Sequence, residues 1–225
     1  MVRTVKGRRP YHSPRHAELR RRTRRSVVDA ARGLFAERGY AATTVEAIAE
    51  AADVAVQTVY AAFGNKRAVL WALLETSVAG DDDPRTLQDR DDPRTLQDRL
   101  AGAVAGVEDP RARLRVVLRF GCAAIERSAD VHRIVRGAAA GDDEIRAALD
   151  EGERRRRVDA AAFVDLVTAG RSAARQRRRA ADVFYVVTSY EAYDLFVGRL
   201  GWTPASWLRW VEETLAAPLR LERTR

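Results

Sequence analysis

The sequence has 225 residues, of which 46% are hydrophobic, so it is long enough to bury a core and is not a disordered polypeptide. Its apolar runs are short and interrupted by Arg or Asp, which argues against a membrane span, and its basic N-terminus lacks the apolar run of a secretory signal. The single cysteine, Cys122, excludes an internal disulfide bond. We therefore expect a cytoplasmic protein with no membrane association.

The net charge of +8 is concentrated at one end of the chain. Residues 1–26 contain ten Lys or Arg and one acid, a net charge of +9, whereas the remaining residues sum to −1. A concentrated basic segment favours a polyanion, because neutralising phosphates releases counterions. We interpret residues 1–22 as a flexible basic arm whose expected partner is double-stranded DNA; a solubilising tail is the alternative. The later Arg runs, 153–157 and 175–179, are interpreted as solvated helix faces.

Hydrophobic spacing predicts helices along almost the whole chain, with Pro and Gly between them. The first is predicted from Pro14 to Arg38 and ends at Gly39, which is suited to a C-terminal cap. Its apolar positions recur as i, i+3, i+4, i+7 and i+8, the pattern of one buried helix face. These positions are Val27, Ala30, Ala31, Leu34 and Phe35.

The next stretch, TTVEAIAEAADVAVQTVYAAFGNKRAVL, reads as helix, turn, short helix, turn, helix. Thr43 and Glu46 have the spacing of a capping box for the first of these, and Asp53 can adopt the left-handed conformation of the turn. Gly64 ends the short helix, and Asn65 caps a helix that runs to about Ala79. Two helices crossed at a tight turn, the second short and led by polar residues, are typical of a helix-turn-helix.

A helix-turn-helix places the first residues of its second helix against base edges in the major groove. Gln57 suits a bidentate contact with adenine, and Val56 suits the methyl group of thymine. The other candidates are expected to bind phosphate, or base and phosphate in the case of Thr58. They are Thr43, Thr44, Thr58, Tyr60 and Lys66, together with the N-terminus of the helix after Asn65.

Residues 24–74 resemble the DNA-binding domain of the tetracycline-repressor (TetR) family of transcriptional regulators. The matching segments are AARGLFAERGY, TTVEAIAEAA, TVYAAF and NKRAVL, and GWTPASW near the C-terminus is a weaker match. The resemblance implies an all-α fold, with a helix-turn-helix domain at 23–80 and a recognition helix at about 55–62. A larger helical domain for effector binding and dimerisation would occupy 94–225. It also implies a homodimeric regulator, usually a repressor, released from a palindromic operator by a small-molecule effector.

The sequence departs from the family pattern in the recognition helix. Asp53 stands in place of the turn glycine, Ala55 in place of the capping serine, and Ala61 and Ala62 in place of larger side chains. The loss of the capping side chain costs about 1 kcal/mol. Because the recognition helix offers few side chains for contact, we expect more of the DNA contacts to come from the arm. There Arg20, Arg21, Arg22 and Arg24 would bind phosphates or the minor groove.

A tandem copy of DDPRTLQDR, at 82–90 and 91–99, separates the two predicted domains. We expect a loop at 81–93, whose extra length has little entropic effect. Helices are then predicted near 94–107, 110–127, 129–139, 142–169, 176–199 and 204–222, the last of them capped by Thr203 and begun by Pro204.

The resemblance implies two functions for the C-terminal helices. The last two should form the dimer interface, for which Val183, Val187, Leu208, Val211 and Leu215 are candidates; core packing within one chain is the alternative. The inner helices should enclose an effector pocket, because its candidate lining mixes aromatic bodies with a few polar tips. That lining comprises Phe120, Cys122, Glu126, Phe163, Tyr185, Thr188 and Tyr193.

Two other classes of function remain open at this point. An enzyme is disfavoured because no Gly-rich phosphate loop, nucleophile elbow or metal cluster occurs, and His12 and His16 lack a third ligand. We therefore expect no cofactor and no metal. The second alternative is an architectural DNA-binding protein that depends on its basic arm and tolerates many sequences. It differs from a regulator in showing little preference among DNA sequences.

Overall fold

The structure is a computed structural model that describes residues 14–79 and 96–221. Within these ranges the chain is helical and contains no strand, which confirms the predicted all-α fold. The N-terminal helices are α1 (Pro14–Ala42), α2 (Val45–Ala51), α3 (Val56–Phe63) and α4 (Lys66–Ala79). The larger domain contains α5 (Leu96–Val104), α6 (Pro110–Ala139), α7 (Asp143–Thr168), α8 (Ala174–Val187), α9 (Tyr190–Tyr193), a π-helical segment (Asp194–Arg199) and α10 (Pro204–Ala216).

The apolar stripe predicted on the first helix lies in the core of the N-terminal domain. Val27, Ala31 and Phe35 are at most 2% exposed, and they belong to the same buried cluster as residues of α2 and α3. Helix α1 extends beyond its predicted end, but Gly39 has φ 78° and ψ 161° and interrupts it there. A positive φ favours glycine, so the predicted break has a local cause.

Thr44, and not Thr43, caps α2, so the predicted capping box is wrong. The side-chain oxygen of Thr44 accepts a hydrogen bond from the backbone N–H of Ala47 at 3.1 Å. Thr43 is 1% exposed, and its hydroxyl donates to the carbonyl of Gly39 at 2.8 Å. Thr43 therefore satisfies a carbonyl left unpaired near the end of α1, because the last turn of a helix has no partner of its own for such groups.

The two turns around α3 follow the prediction. Asp53 has φ 53°, and Ala55 begins α3 without a side-chain hydrogen bond to the backbone. Gly64, with φ 83°, ends α3. Asn65 then accepts a hydrogen bond from the N–H of Ala68 at 2.8 Å, which makes it the cap of α4.

Helix α6 runs unbroken across the junction at which we predict two helices. Ser128 lies at that junction, is fully buried, and donates its hydroxyl to the carbonyl of Ala124 at 2.6 Å. A serine that bonds to the preceding turn in this way remains compatible with a continuous helix. Leu114 and Leu118 of α6 pack in the core of the C-terminal domain, whereas Val131 and Val135 pack in the core formed by α1 to α4.

Ion pairs reinforce the contact between the two domains. Arg32 of α1 donates two hydrogen bonds of 2.9 Å to the carboxylate of Asp130 on α6. Burial alone would raise the pKa of Asp130, but the hydrogen bond and charge of Arg32 lower it below its ordinary value. A second pair joins Arg67 of α4 to Asp142, which caps α7.

The predicted helix 176–199 is divided in the structure. Helix α8 ends at Val187, and Ser189 caps α9 by accepting from the N–H of Ala192 at 3.0 Å. Arg156 donates to the carbonyls of Tyr185 and Thr188, at 2.8 and 2.9 Å, and so binds the end of α8. The interpretation of 153–157 as an entirely solvated face is therefore wrong at Arg156.

We expect Arg156→Met to lower the free energy of unfolding by about 1–3 kcal/mol, because two part-buried carbonyls lose their donor. Arg154→Met is the matched control, since Arg154 lies on the same helix and is 73% exposed. It should change the stability by about 0.5 kcal/mol or less. Urea denaturation of both variants is the measurement. Equal losses would contradict the assignment of Arg156 to the end of α8.

Candidate nucleic-acid interface

Helix α3 presents one narrow polar face to solvent. Val59 is 1% exposed and anchors the helix in the N-terminal core, and Val56 is partly buried against the same core. Gln57 is exposed, Tyr60 is 47% exposed, and Thr58 is half-buried. Positions 57, 60 and 61 share a face by helical spacing, and Ala61 adds no polar group. The structure thus leaves Gln57 and Tyr60 as the most accessible polar side chains of the predicted recognition helix.

Arg24 connects α1 to the end of α3, a role that the sequence does not reveal. Its guanidinium donates to the carbonyl of Ala62 and lies 4.2 Å from the centre of the Phe63 ring. A cation is favoured at a helix C-terminus, and its contact with the aromatic face adds to the attraction. Arg24 therefore positions α3 from within the protein, where we predict a contact with DNA.

The ammonium group of Lys66 is likewise bound by groups of the protein itself. Its ammonium group donates to the carbonyls of Tyr40 and Thr43, each at 2.8 Å, and lies 4.3 Å from the centre of the Tyr40 ring. Burial lowers the pKa of Lys66, and the charge of Asp142 partly opposes that effect. These contacts use the donors of Lys66 to join the end of α1 to the start of α4, so the predicted phosphate contact is not supported.

The two predicted threonine contacts differ in accessibility. Thr43 is buried, so its side chain cannot reach DNA. Thr44 is exposed at the N-terminus of α2, and its oxygen accepts a hydrogen bond, which leaves its hydroxyl proton free to be donated. Thr44 therefore remains a candidate phosphate contact.

The described part of the predicted arm is helical. Helix α1 begins at Pro14, so Arg20, Arg21 and Arg22 lie on its first turns and not on a flexible segment. Arg20 and Arg22 are exposed, whereas Arg21 forms an ion pair with Glu18. Residues 1–13 of the predicted arm lie outside the described residues.

Several of the predicted effector residues make separate contacts within the described part of the C-terminal domain. Phe120 is 48% exposed, and Phe163 packs against Phe184 with ring centres 5.3 Å apart. Tyr185 donates to Glu153 at 2.7 Å, on the α7 side of α8. Thr188 is buried and donates to the carbonyl of Phe184.

Cys122 and Glu126 do line a common cavity of about 480 Å³ between α6 and the start of α10. Trp207 forms part of its wall and contacts Tyr193 edge to face, with ring centres 4.9 Å apart. The indole N–H of Trp207 is buried and has no hydrogen-bond partner within residues 14–79 and 96–221. The sequence alone does not single out Trp207, because an unpaired donor is a property of the packed structure.

Most of the predicted dimer residues are buried within a single chain. Val187 is 6% exposed, and Val211 and Leu215 are fully buried, so these three side chains are not accessible to a partner. Val183 and Leu208 are half-buried. A different apolar set is exposed on α8 and the segment after it: Val186, Leu195, Leu200 and Trp202.

No helix among residues 14–79 and 96–221 is long and apolar enough to cross a membrane. The same residues contain no group of three His, Cys, Asp or Glu placed to hold a metal ion.

Comparison with known proteins identifies a family match in the N-terminal domain and a shared fold along most of the chain. Residues 27–73 match the family model described as bacterial regulatory proteins, tetR family. This range contains α2, α3 and most of α1 and α4, and therefore the whole candidate recognition helix. No curated protein matches the chain in sequence.

Solved structures resemble the chain along most of its length. A TetR-family transcriptional regulator from Mesorhizobium loti is 19% identical, has a TM-score of 0.62, and is matched over 89% of this chain and 96% of its own. The fatty acid degradation regulator FadR from Bacillus halodurans is also 19% identical, with a TM-score of 0.60 and coverage of 98% and 100%. NalD of Pseudomonas aeruginosa, the secondary repressor of the MexAB-OprM multidrug efflux pump, is 20% identical, with a TM-score of 0.55 and coverage of 92% and 100%.

We expect Arg24→Met to lower the free energy of unfolding by about 1–3 kcal/mol, because the carbonyl of Ala62 loses a charged donor. Arg25→Met is the control, since Arg25 is the next residue on α1 and its side chain is 60% exposed. It should change the stability by about 0.5 kcal/mol or less. Urea denaturation, with hydrogen exchange at residues 62–64, is the measurement. Unchanged exchange there would contradict the positioning role.

Cys122 should be unreactive in the folded protein. Burial, and then the charge of Glu126, raises the pKa of Cys122 to about 12. Since the thiolate is the reactive form, alkylation at pH 8 should be at least about 100-fold slower in the folded than in the urea-unfolded chain. Timed iodoacetamide labelling followed by mass spectrometry is the measurement. Comparable rates in the two states would show that Cys122 is accessible and would contradict this prediction.

Proposed function

We propose that this chain, whose residues 27–73 match the tetR family of bacterial regulatory proteins, is a dimeric cytoplasmic repressor that a small-molecule effector releases from a palindromic operator. The family match supports a DNA-binding transcriptional regulator. The repressor role, dimerisation and effector release are the parts proposed here.

The observation that carries the proposal is the way α3 is held. Val59 anchors the helix in the N-terminal core, and Arg24 binds its C-terminal end. Lys66, at the start of the helix that follows, binds the end of α1. A short helix anchored at its middle and at its C-terminal end keeps its exposed N-terminal residues in a defined orientation. Gln57, which is exposed on the first turn, is thereby presented to a base edge in the major groove.

Groups around α3 suit contacts with the DNA backbone. The hydroxyl of Thr44 is exposed at the N-terminus of α2, and Tyr60 is exposed on the same face of α3 as Gln57. Arg20 and Arg22 add exposed positive charge on the first turns of α1. Phosphate contacts of this kind would fix the position of the protein on the duplex, while Gln57 reads sequence.

The exposed apolar residues of the C-terminal domain support dimerisation. Val186 is 59% exposed, Leu195 49%, Leu200 65% and Trp202 37%. We propose that these residues, all within 186–202, form one apolar patch, which is typical of a protein interface. A second copy of the chain is the partner proposed for this patch, because a palindromic operator requires a two-fold symmetric protein with recognition helices about 34 Å apart.

The cavity beside Trp207 supports an effector site. Its volume of about 480 Å³ is within the usual range for small-molecule pockets. The carboxylate of Glu126 supplies a polar group next to the apolar wall of Pro204 and Leu208. An effector that prefers one spacing of the recognition helices would change operator affinity by its difference in affinity for the two conformers.

Repression is proposed from two considerations. The resemblance to the family implies repression as its usual mode of action. NalD, one of the solved structures that share the fold, is a repressor, although its 20% identity establishes the shared fold alone.

The small number of polar side chains on α3 favours a second candidate function. Ala55, Ala61 and Ala62 offer no hydrogen-bonding side chains, so most of the contact energy would come from phosphates. The second candidate is therefore a sequence-tolerant architectural DNA-binding protein. It differs from the regulator in its salt dependence and in its preference among sequences.

Selection of bound duplexes from a random pool tests these candidates. For a regulator we expect a recovered palindrome that is bound at least about 1000-fold more tightly than random DNA at near-physiological salt. Gln57→Ala should reduce discrimination at particular base pairs by about 1–3 kcal/mol. Gln176→Ala, on α8, is the matched control and should bind as the unaltered chain does.

The opposite result is equally specific. Recovery of no enriched sequence, with binding that weakens steeply as salt rises, would support the architectural function and overturn the repressor. Equal effects of Gln57→Ala at every base pair would also remove Gln57 from sequence readout.

A further inference from the structure

A cavity of about 610 Å³ lies between the two domains, away from the cavity beside Trp207. One wall is the end of α1, including Phe35, Arg38 and Tyr40, and the other is the C-terminal half of α6 with the turn that follows it. The volume lies within the range of small-molecule sites, which often form at domain interfaces.

The floor of this cavity is apolar. Phe35 is 2% exposed, and its ring centre lies 5.4 Å from that of Tyr40. Ile134 and Ala138 supply the opposite side and pack against the same core. A ligand seated here would place an apolar or aromatic body against these side chains.

The charges around the cavity favour an anion. Asp130 is held by two hydrogen bonds from Arg32, and Asp142 is held by the N–H groups of Glu144 and Ile145 as well as by Arg67. Both acidic groups are therefore already neutralised. The backbone bond from Ile145, followed by the charge of Arg67, also lowers the pKa of Asp142.

The basic groups of the cavity, Arg38 and Arg133, are paired more weakly than its two acidic groups. Their side chains are 51% and 65% exposed, and among the described residues they pair with Glu37 at 3.7 Å and with Asp194 at 3.3 Å. Exposed pairs of this kind contribute little, about 0–1 kcal/mol, so either guanidinium can exchange its partner for a ligand carboxylate.

The partial charges of the helix ends next to the cavity do not reverse its preference for an anion. The C-terminal end of a helix carries partial negative charge, which by itself would repel an anion. Lys66 already binds the carbonyls of Tyr40 and Thr43 at the end of α1, and Arg146 binds the carbonyl of Ala139 at the end of α6. A basic side chain thus offsets the negative charge at both helix ends.

We propose that this interdomain cavity is a second effector site, which binds a small amphipathic carboxylate with its apolar body on Phe35 and Ile134 and its carboxylate at Arg38 and Arg133. The ligand would contact both domains at once. Its affinity therefore depends on how α1 lies against α6, and through α1 it is coupled to the position of α3. The site is distinct from the effector cavity beside Trp207.

Gly137 provides a specific test of the site. The α6 residues of the cavity wall, at 130, 133, 134, 137 and 138, recur at the spacing of one helix face, and Gly137 lies in the middle of it. No atom lies within 4 Å of a Cβ built at Gly137, so Gly137→Leu adds a side chain to the cavity without a backbone clash. Gly152→Leu is the matched control, because Gly152 is exposed on α7, lies outside the cavity and is equally unobstructed.

The probe is naphthoate, with naphthamide as its neutral counterpart, and the measurement is calorimetric titration of the full chain. We expect one naphthoate site per chain, affinity reduced at least about tenfold in Gly137→Leu, and affinity within about twofold of the original in Gly152→Leu. Naphthamide should bind at least about fivefold more weakly than naphthoate, and the joint change Arg38→Gln and Arg133→Gln should remove that difference. Absence of saturable naphthoate binding, or unchanged binding in Gly137→Leu, would overturn the site.

Coupling to DNA is measured separately, and only this part rests on the proposed function. Naphthoate should change affinity for the selected palindrome by at least about threefold in the unaltered chain and in Gly152→Leu, but not in Gly137→Leu. Naphthoate binding without any change in DNA affinity would overturn the regulatory role of the site. If the chain selects no palindrome, the proposed function fails, while the calorimetric result still decides whether the cavity binds the carboxylate.

Discussion

The packing of α6 into both hydrophobic cores constrains the arrangement of the two domains. Its first half, with Leu114 and Leu118, is buried with the C-terminal helices, and its second half, with Val131 and Val135, is buried with α1 to α4. A rigid helix shared in this way cannot move in one core without disturbing the other, since protein interiors are packed as densely as organic crystals. The position of the DNA-binding domain is therefore set by the same residues that build the larger domain.

Arginine side chains stabilise several contacts between helices, a function that composition alone does not show. Arg24 binds the end of α3, Arg32 joins α1 to α6, Arg67 joins α4 to the cap of α7, and Arg156 binds the end of α8. Each guanidinium spans two elements, and its planar array of donors can satisfy several acceptors at once. The basic composition thus stabilises connections between helices in addition to supplying charge for a polyanion.

Features determined by local sequence were predicted correctly. The buried stripe of α1, the left-handed Asp53 and the Asn65 cap each depend on residues within one or two turns. The Thr43 cap was displaced by one residue, because two adjacent threonines are equally suitable and only the folded turn distinguishes them. The family resemblance gave the order of domains and the place of α3 in the chain.

Features determined by distant contacts were not predicted. Nothing near Lys66 in sequence indicates that the carbonyls of residues 40 and 43 surround its ammonium group. Similarly, the break at Thr188 depends on Arg156, more than thirty residues earlier, so periodicity extended one helix through it. Val186 and Val187 both precede that break, and only Val187 lies on the face of α8 shared with the buried Ala180 and Phe184, so Val186 is exposed.

The position of the two cavities along α6 suggests how a ligand in either one would affect α3. One cavity lies near residues 119–126, within the C-terminal core, and the other lies near residues 130–142, against α1. About 12 residues of α6 separate the centres of their walls, or roughly 18 Å, so tilting α6 by about 5° at one cavity moves the other by about 1.6 Å. In a two-fold symmetric dimer that displacement applies to both recognition helices. Because half-site spacing is fixed by the DNA helix, a change of this size is enough to favour one conformer on DNA over the other.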